Sequence, residues 1–493
     1  MKKRILMMVV LLGTMLTMQA QVERPKLVVG LMVDQMRWDY LYYYYDEYGD
    51  DGLKRLLREG YSCENTLINY VPTVTAIGHS SVYTGSVPAF TGISGNDFMI
   101  DGHKTTSVRD TTVSTVGAPN GKGGQQSPHL LLATTIGDEM KIATNFQSKV
   151  IGIAIKDRAA ILPAGHAADA AYWYDRTNGR FVSSSYYMKQ LPSWMERFNK
   201  EHPLPANHNL NPSNEGVTMT FALAEAAIEH EGLGQDDVTD LLAVSISSTD
   251  AIGHDFSTRG KENHDVYMQL DKDLAHFLNT LDAKVGRGNY LLFLTADHGA
   301  MHNPHFLGSH KMPNGGWDNG KSFKDLNEMF ASKYGVKQMV TAIMDSRIYL
   351  DRAEIEARGL DIDAIKRDAV NYLRKDPAIQ FAVDCDRIAE ATIPSVLKER
   401  LINGHNHERS GDLFVVLKSG HLGWKYGADY IGTSHAAWNN YDAHIPLVFM
   451  GWNVKAGRTD APTFITDIAA TVCAMLRIQA PNCCIGNAIR LED

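Results

Sequence analysis

The chain has 493 residues, 44% of them hydrophobic, and a formal net charge of −9. That length and apolar content suffice for one large core carrying an insertion. The acidic balance argues against a nucleic-acid binder, because a phosphate backbone is gripped by clustered lysine and arginine; any anionic substrate needs positive charge gathered locally.

The first residues read as a cleavable export signal. Lys2, Lys3 and Arg4 precede an apolar run from Ile5 to Met18, and Gln19 and Ala20 lead into polar Gln21. The run is shorter than the about 20 apolar residues of a membrane span, and no comparable run follows. The expectation is an exported, periplasmic or secreted protein without stable membrane insertion, with residues 1–20 as signal and 21–493 as one catalytic domain. Losing the signal removes three positive and no negative charges, taking the charge from −9 to −12. Of the five cysteines, Cys473 with Cys483 or Cys484 could close a short loop in an oxidising compartment.

Next come short apolar, β-branched runs at 26–33, 149–155, 241–247, 290–295 and 446–450, the pattern of buried parallel strands. Helical patterns at 217–228 and 266–281 lie between them. Strands alternating with helices predict an α/β fold: a doubly wound, mainly parallel sheet with helices on both faces. Residues 301–429 break the rhythm with more charge, Asn and Gly clusters and an amphipathic helix at 361–374, and are read as an α+β capping insertion.

Ligands of open α/β sheets bind at the carboxyl ends of the strands. Asp34 ends the first run, Asp250 lies just past the third, and Asp297 and His298 follow the fourth. A lone strand-end aspartate is ordinarily a cap or turn residue, and a lone histidine usually packs; the combination changes the odds. Asp250 and His254 are four apart, on one side of a helical turn, and His435 stands near the last strand. Carboxylate and imidazole suit zinc. Thr75, where an extended segment turns into a helix, meets that helix's free N–H groups; alone it is an N-cap candidate, beside a metal a nucleophile. Lys156 and Arg158 point the same way if the strand before them continues, and could then grip phosphoryl oxygens. His79, His166 and His444 are read as structural, His444 with a supporting place near the site, and the tyrosines between Tyr40 and Tyr48 as a helix face or surface cluster.

The set Val33-Asp34, Pro72-Thr73-Val74-Thr75, Thr249-Asp250 with His254, Ala296-Asp297-His298-Gly299 and Thr433-Ser434-His435 resembles the alkaline phosphatase superfamily. Gly95-Asn96 and Lys156-Asp157-Arg158-Ala159-Ala160 narrow the resemblance to phosphate monoesterases of the PafA type. It runs in order through nearly the whole mature chain, to Thr466-Asp467-Ile468-Ala469-Ala470-Thr471. The resemblance implies two Zn2+ ions, one held by Asp34, Thr75, Asp297 and His298, the other by Asp250, His254 and His435. It implies Thr75 as nucleophile of a phosphothreonine intermediate, and Asn96, Lys156 and Arg158 on the non-bridging phosphoryl oxygens. The expected activity is hydrolysis of small phosphate monoesters of broad kind by a monomer. The rivals are a phosphodiesterase or nucleotide pyrophosphatase on the same scaffold, against which the two cations count, and a non-catalytic exported binding protein, which predicts gaps in the ligand set. A sulfatase lacks its Cys-x-Pro-x-Arg stretch here, and export argues against a glycolytic phosphoglycerate mutase.

Overall fold

The structure, a computed structural model, describes residues 23–491; the expected signal lies outside the described residues. A ten-stranded sheet organises the chain. Its strands are β1 (Leu27–Val33), β2 (Tyr61–Cys63), β3 (Thr115–Val116), β4 (Val150–Ala154), β5 (Ala170–Asp175), β6 (Arg180–Ser184), β7 (Asp240–Ile246), β8 (Tyr290–Thr295), β9 (Leu447–Gly451) and β10 (Gly457–Thr459). Their spatial order is β10-β2-β9-β8-β1-β7-β4-β5-β6-β3. The middle of the sheet, β8-β1-β7-β4-β5, is parallel throughout. Every residue of β1, β4, β7 and β8 is buried, as expected of strands covered on both faces.

The helices that matter for the site are α1 (Thr75–Thr84), α2 (Asp157–Ala164), α3 (Asn214–Glu231), α4 (Ser248–Phe256), α5 (Lys261–Leu281) and α6 (Ser395–Gly404). α2 and α3 pack on β4 and β7, α1 packs on α2, and α5 packs on α3. One expectation fails: the run at 446–450 forms β9, but it pairs antiparallel with β8. Composition marks a strand as buried; its direction depends on the side from which the chain returns.

A second, four-stranded sheet is antiparallel in every pairing, in the order Val340–Met344, Arg347–Leu350, Leu413–Leu417, Ile379–Asp384. Alternation along Leu413–Leu417 gives it two allegiances. Leu413 and Val415 join a cluster with Trp317, Leu326 and Ile365. Phe414 and Val416 face the other way, with Leu397 of α6 and Val71, a residue from the stretch leading into α1. Phe414 and Val416 therefore tie the second sheet to the segment that carries Thr75. The expected cysteine closure is not formed: all five thiols are unpaired, with Cys473 buried in the main core and Cys483 packed against a different cluster.

Candidate active site

The parallel strands end at one edge, and the residues just beyond them make the site. Asp34 follows β1, and its N–H donates to the Ile246 carbonyl at the end of β7, 3.1 Å away. β7 runs into α4, which carries Asp250 in its first turn and His254 in its last. β8 is followed by Asp297 and His298, both fully buried. Thr75 is the first residue of α1, whose preceding Val74 is extended, so strand-like chain turns into helix at the hydroxyl.

Two clusters result: Asp34, Asp297 and His298, and Asp250, His254 and His435, the candidate ligand atoms of each lying within 4.8 Å of one another. The His298 and His435 rings stack at 3.6 Å, so the clusters adjoin. Each of the three histidines spends its Nδ1–H on a backbone carbonyl: His254 on Thr433 at 3.0 Å, His298 on Gly299 at 3.0 Å, His435 on Thr73 at 2.6 Å. That fixes the tautomer with Nε2 free to bind a metal. Asp34 Oδ1, Asp297 Oδ2 and His298 Nε2 are buried with no hydrogen-bond partner. Buried polar atoms are ordinarily paired, so three convergent orphans of ligand type fit a divalent metal ion. A third group, Asp386, His405 and His407, is largely exposed, and Lys366 already engages Asp386.

The backbone around Thr75 is tied toward both clusters. His435 donates to the Thr73 carbonyl, two residues before it; His79 donates to Thr75's own carbonyl at 2.9 Å, and the same Nδ1 lies 3.4 Å from Asp297 Oδ2. Asn96 accepts from the Ala76 N–H at 2.9 Å, which holds it against the first turn of α1.

Lys156 and Arg158 do not continue β4, which ends at Ala154; Lys156 precedes α2 and Arg158 lies in its first turn. The Lys156 ammonium donates to Asp34 Oδ2 and to Asp250 Oδ2, both at 2.6 Å, spanning the two clusters. Burial pulls the lysine's pKa down, but Asp250 and Asp34 outweigh it and the net shift is upward. Asp34 is pushed well above the usual carboxylate range, first by burial and then by Asp250 and Asp297. Arg158 is partly exposed, and its Nε has no partner.

One contributor escapes sequence reading. Gln35 takes a left-handed backbone (φ 64°), donates from Nε2 to Asp250 Oδ1 at 2.6 Å and from its backbone N–H to Asp297 Oδ1 at 3.1 Å, joining both clusters. The available signal was a polar residue after the strand-end aspartate. His79, read as structural, bonds locally to the Thr75 carbonyl and also neighbours Asp297. His444 is elsewhere, stacked on Trp38 at 4.7 Å with its Nε2 bonded to the Glu64 carbonyl.

Comparison with known proteins agrees with this geometry. The family described as type I phosphodiesterase / nucleotide pyrophosphatase matches residues 28–441. A Myroides odoratus protein named calcium-transporting ATPase is 47% identical, over 95% of each chain. Alkaline phosphatase PhoV of Synechococcus elongatus is 45% identical, over 95% of this chain and 93% of its own. Alkaline phosphatase PafA of Elizabethkingia meningoseptica is 42% identical, over 95% of this chain and 94% of its own. The PafA crystal structure superposes with a TM-score of 0.91, over 95% of this chain and 99% of the other. Among the described residues no helix is long and apolar enough to cross a membrane. The chain belongs to the type I phosphodiesterase / nucleotide pyrophosphatase family, among relatives of the PafA and PhoV alkaline phosphatase kind.

Proposed function

We propose that this chain is an exported phosphate monoester hydrolase that acts as a monomer on small phosphate esters, through a phosphothreonine at Thr75 and with two zinc ions. The observation that carries the reading is a threonine at the head of a buried helix beside two adjoining carboxylate and imidazole clusters, in one of which Asp34 Oδ1, Asp297 Oδ2 and His298 Nε2 lack hydrogen-bond partners. Asp34, Thr75, Asp297 and His298 would hold one ion and Asp250, His254 and His435 the other; bound there, the ions supply the positive charge that activates a hydroxyl and offsets charge on a departing oxygen.

The chain's own groups do the rest. Thr75 Oγ1 attacks phosphorus in line, the bond to the ester oxygen breaks, and the alcohol leaves with that electron pair and takes up a proton. Water then attacks the phosphothreonine, freeing inorganic phosphate and restoring Thr75. Asn96 spends Oδ1 on Ala76, which leaves its Nδ2 hydrogens for a phosphoryl oxygen. Arg158 brings a guanidinium whose Nε has no partner, and a guanidinium can grip two such oxygens. A monoester dianion carries more charge and one more free oxygen than a diester, so Arg158 and Lys156 favour it. The names of the PafA and PhoV relatives support the same substrate class.

The test is kcat/KM of the zinc-loaded protein on an aryl phosphate monoester and the matching methyl diester, with ATP included because of the Myroides relative's name. The monoester is expected to be preferred. Thr75→Ala should lose about 10³-fold or more, since it removes the nucleophile. Arg158→Ala should lose mainly monoester activity, and a strong chelator should abolish turnover. A diester preference insensitive to Arg158→Ala would move the chain to the diesterase side of its family.

A further inference from the structure

A cavity of about 330 Å³ opens beside the site, between the second sheet and the loop that carries His435. His254, His435 and Asn96 line one end of it; Asp34, Thr75, Asp297 and His298 do not. It therefore adjoins the Asp250 cluster alone. Val71, Ile343, Leu397, Phe414, Val416 and Trp438 form its walls. Leu397 at 0%, Val71 and Val416 at 2% and Phe414 at 5% exposure back these walls, and the half-buried Ile343 and Trp438 give them their accessible apolar surface. No lysine or arginine among the described residues lines the cavity; Asp345 and His421 do, and Asp345 has the buried Arg347 guanidinium 3.7 Å behind it.

Resting on the phosphatase reading, the geometry points to this cavity as the seat of the ester's alcohol, and to monoesters of uncharged, apolar alcohols as the substrates it selects. In an in-line displacement the leaving oxygen departs opposite the nucleophile. Thr75 is tied through His79 to the Asp297 side, so the alcohol leaves toward the Asp250 cluster, where the cavity begins. The volume lies within the usual range of small-molecule sites, about 300 Å³ and upward, and apolar walls with a few polar groups at one end are how such sites are built. An alcohol with its own carboxylate or phosphate would have to shed its water against these apolar walls, where no lysine or arginine lines the cavity to receive it. Since the walls come from both the second sheet and the stretch leading into α1, the second sheet is a specificity element.

The experiment is kcat/KM of the zinc-loaded protein on ethyl, propyl, butyl and hexyl phosphate, whose leaving alkoxides have nearly the same basicity, so that chemistry stays constant while apolar area grows. The value should rise about three- to fourfold per added methylene until the cavity is full. An alkyl phosphate ending in a carboxylate should fall about tenfold below its uncharged equivalent, the loss of a buried charge without a partner. Ile343→Asp, at a half-buried wall position, should flatten the series, with an unchanged melting temperature showing that it folds. A readout free of turnover is tryptophan fluorescence of the same protein titrated with hexyl- and ethylphosphonate; the hexyl compound should bind more tightly in the native protein and not in Ile343→Asp. A flat series with equal phosphonate affinities would overturn the inference. Tighter hexylphosphonate binding without turnover of any monoester, an aryl phosphate included, would support the cavity and instead sink the phosphatase reading.

Discussion

The carboxyl edge of the large sheet and the interior of the four-stranded sheet both bury charge, but they treat it differently. In the four-stranded region Lys366 is 1% exposed, yet Asp384 and Asp386 both accept from its ammonium. Asp412, 2% exposed, takes the Leu350 N–H at 2.7 Å and the Arg352 Nε–H at 2.6 Å. These groups are closed accounts of hydrogen bonding and hold the fold. At the edge of the large sheet, Asp34 and Asp250 share one lysine, and Asp34 Oδ1, Asp297 Oδ2 and His298 Nε2 are left over. Burial marks both regions, and each keeps some unmet bonding capacity, since Arg347 of the four-stranded sheet is 1% exposed with no hydrogen-bond partner on its guanidinium; what sets the edge of the large sheet apart is that its unpaired atoms are carboxylate and imidazole atoms that converge.

The sharpest way to break the large-sheet site without touching any of its ligands is Gly78→Ala. A Cβ at residue 78 would lie 2.4 Å from Asp297 Cβ and 2.5 Å from its carbonyl oxygen, so α1 approaches the site only because residue 78 has no side chain. The methyl pushes Thr75 and Asp297 apart. Monoesterase kcat/KM should fall about 10²-fold, the usual cost of misplacing reacting groups by about 1 Å, and a melt should show loss of stability from overpacking. Unchanged kcat/KM would mean that the approach of α1 to Asp297 does not set the geometry of Thr75.

Gly404→Ala tests the join between the regions. Residue 404 closes α6, where a Cβ would lie 1.8 Å from the Val71 carbonyl oxygen. The Val71 N–H donates to Arg400 on the same helix at 3.1 Å. Moving α6 away loosens the stretch leading into Thr75 from outside the metal ligands. A loss of about tenfold in kcat/KM is expected, smaller than for Gly78→Ala because the displacement is relayed through a loop. Equal losses would show that the four-stranded region supports Thr75 as directly as the large sheet does.

Much of the large sheet was legible because parallel strands buried on both faces read as unbroken apolar runs, and three of the runs pointed to an acid beyond them. Asp34, Asp250 and Asp297 were visible on that basis. Gln35 was not, because its part depends on a left-handed backbone that a glutamine does not announce. Nor was the direction of β9, since an apolar run reads the same either way. Lys156 was expected to continue the strand; the chain turns into α2 there and brings its ammonium between Asp34 and Asp250. The double loyalty of Leu413–Leu417 could be suspected from alternation, but which residues meet Val71 is a property of tertiary packing.

A smaller effect is expected from pH at His405, which follows α6 and keeps Nδ1 without a partner. Burial pushes its pKa down to about 4; Asp386 opposes the shift, and His407, Arg347 and Arg352 add to it. An unfolded histidine titrates near about 6.5, so between that pH and about 4 the unfolded chain binds the extra proton and the folded one does not. This contribution to stability is present above pH 6.5 and is lost as pH falls toward 4. His405→Asn removes it, so the melting temperature of the variant should fall less than that of the native protein between pH 7 and pH 4.5. Acid loss from the metal ligands is common to both proteins and cancels in the comparison. Parallel pH curves would show that His405 titrates alike in the folded and unfolded chains.

The smallest effect belongs to the exposed charges of the four-stranded region. Lys321, 65% exposed, pairs with Asp325 one turn along the helix Asn319–Tyr334. Water can solvate both partners once the pair is broken, and Asp325 keeps the Tyr372 hydroxyl at 2.6 Å. Lys321→Ala should therefore leave the melting temperature within about 1 °C and kcat/KM unchanged, as for most solvent-exposed ion pairs. Lys366→Ala, in the same region, strands two carboxylates around a buried site and should cost several times more. If the two substitutions cost the same, burial would not be what separates structural charge from decoration here, and the reading of the orphaned atoms at the large sheet's edge would lose its physical footing.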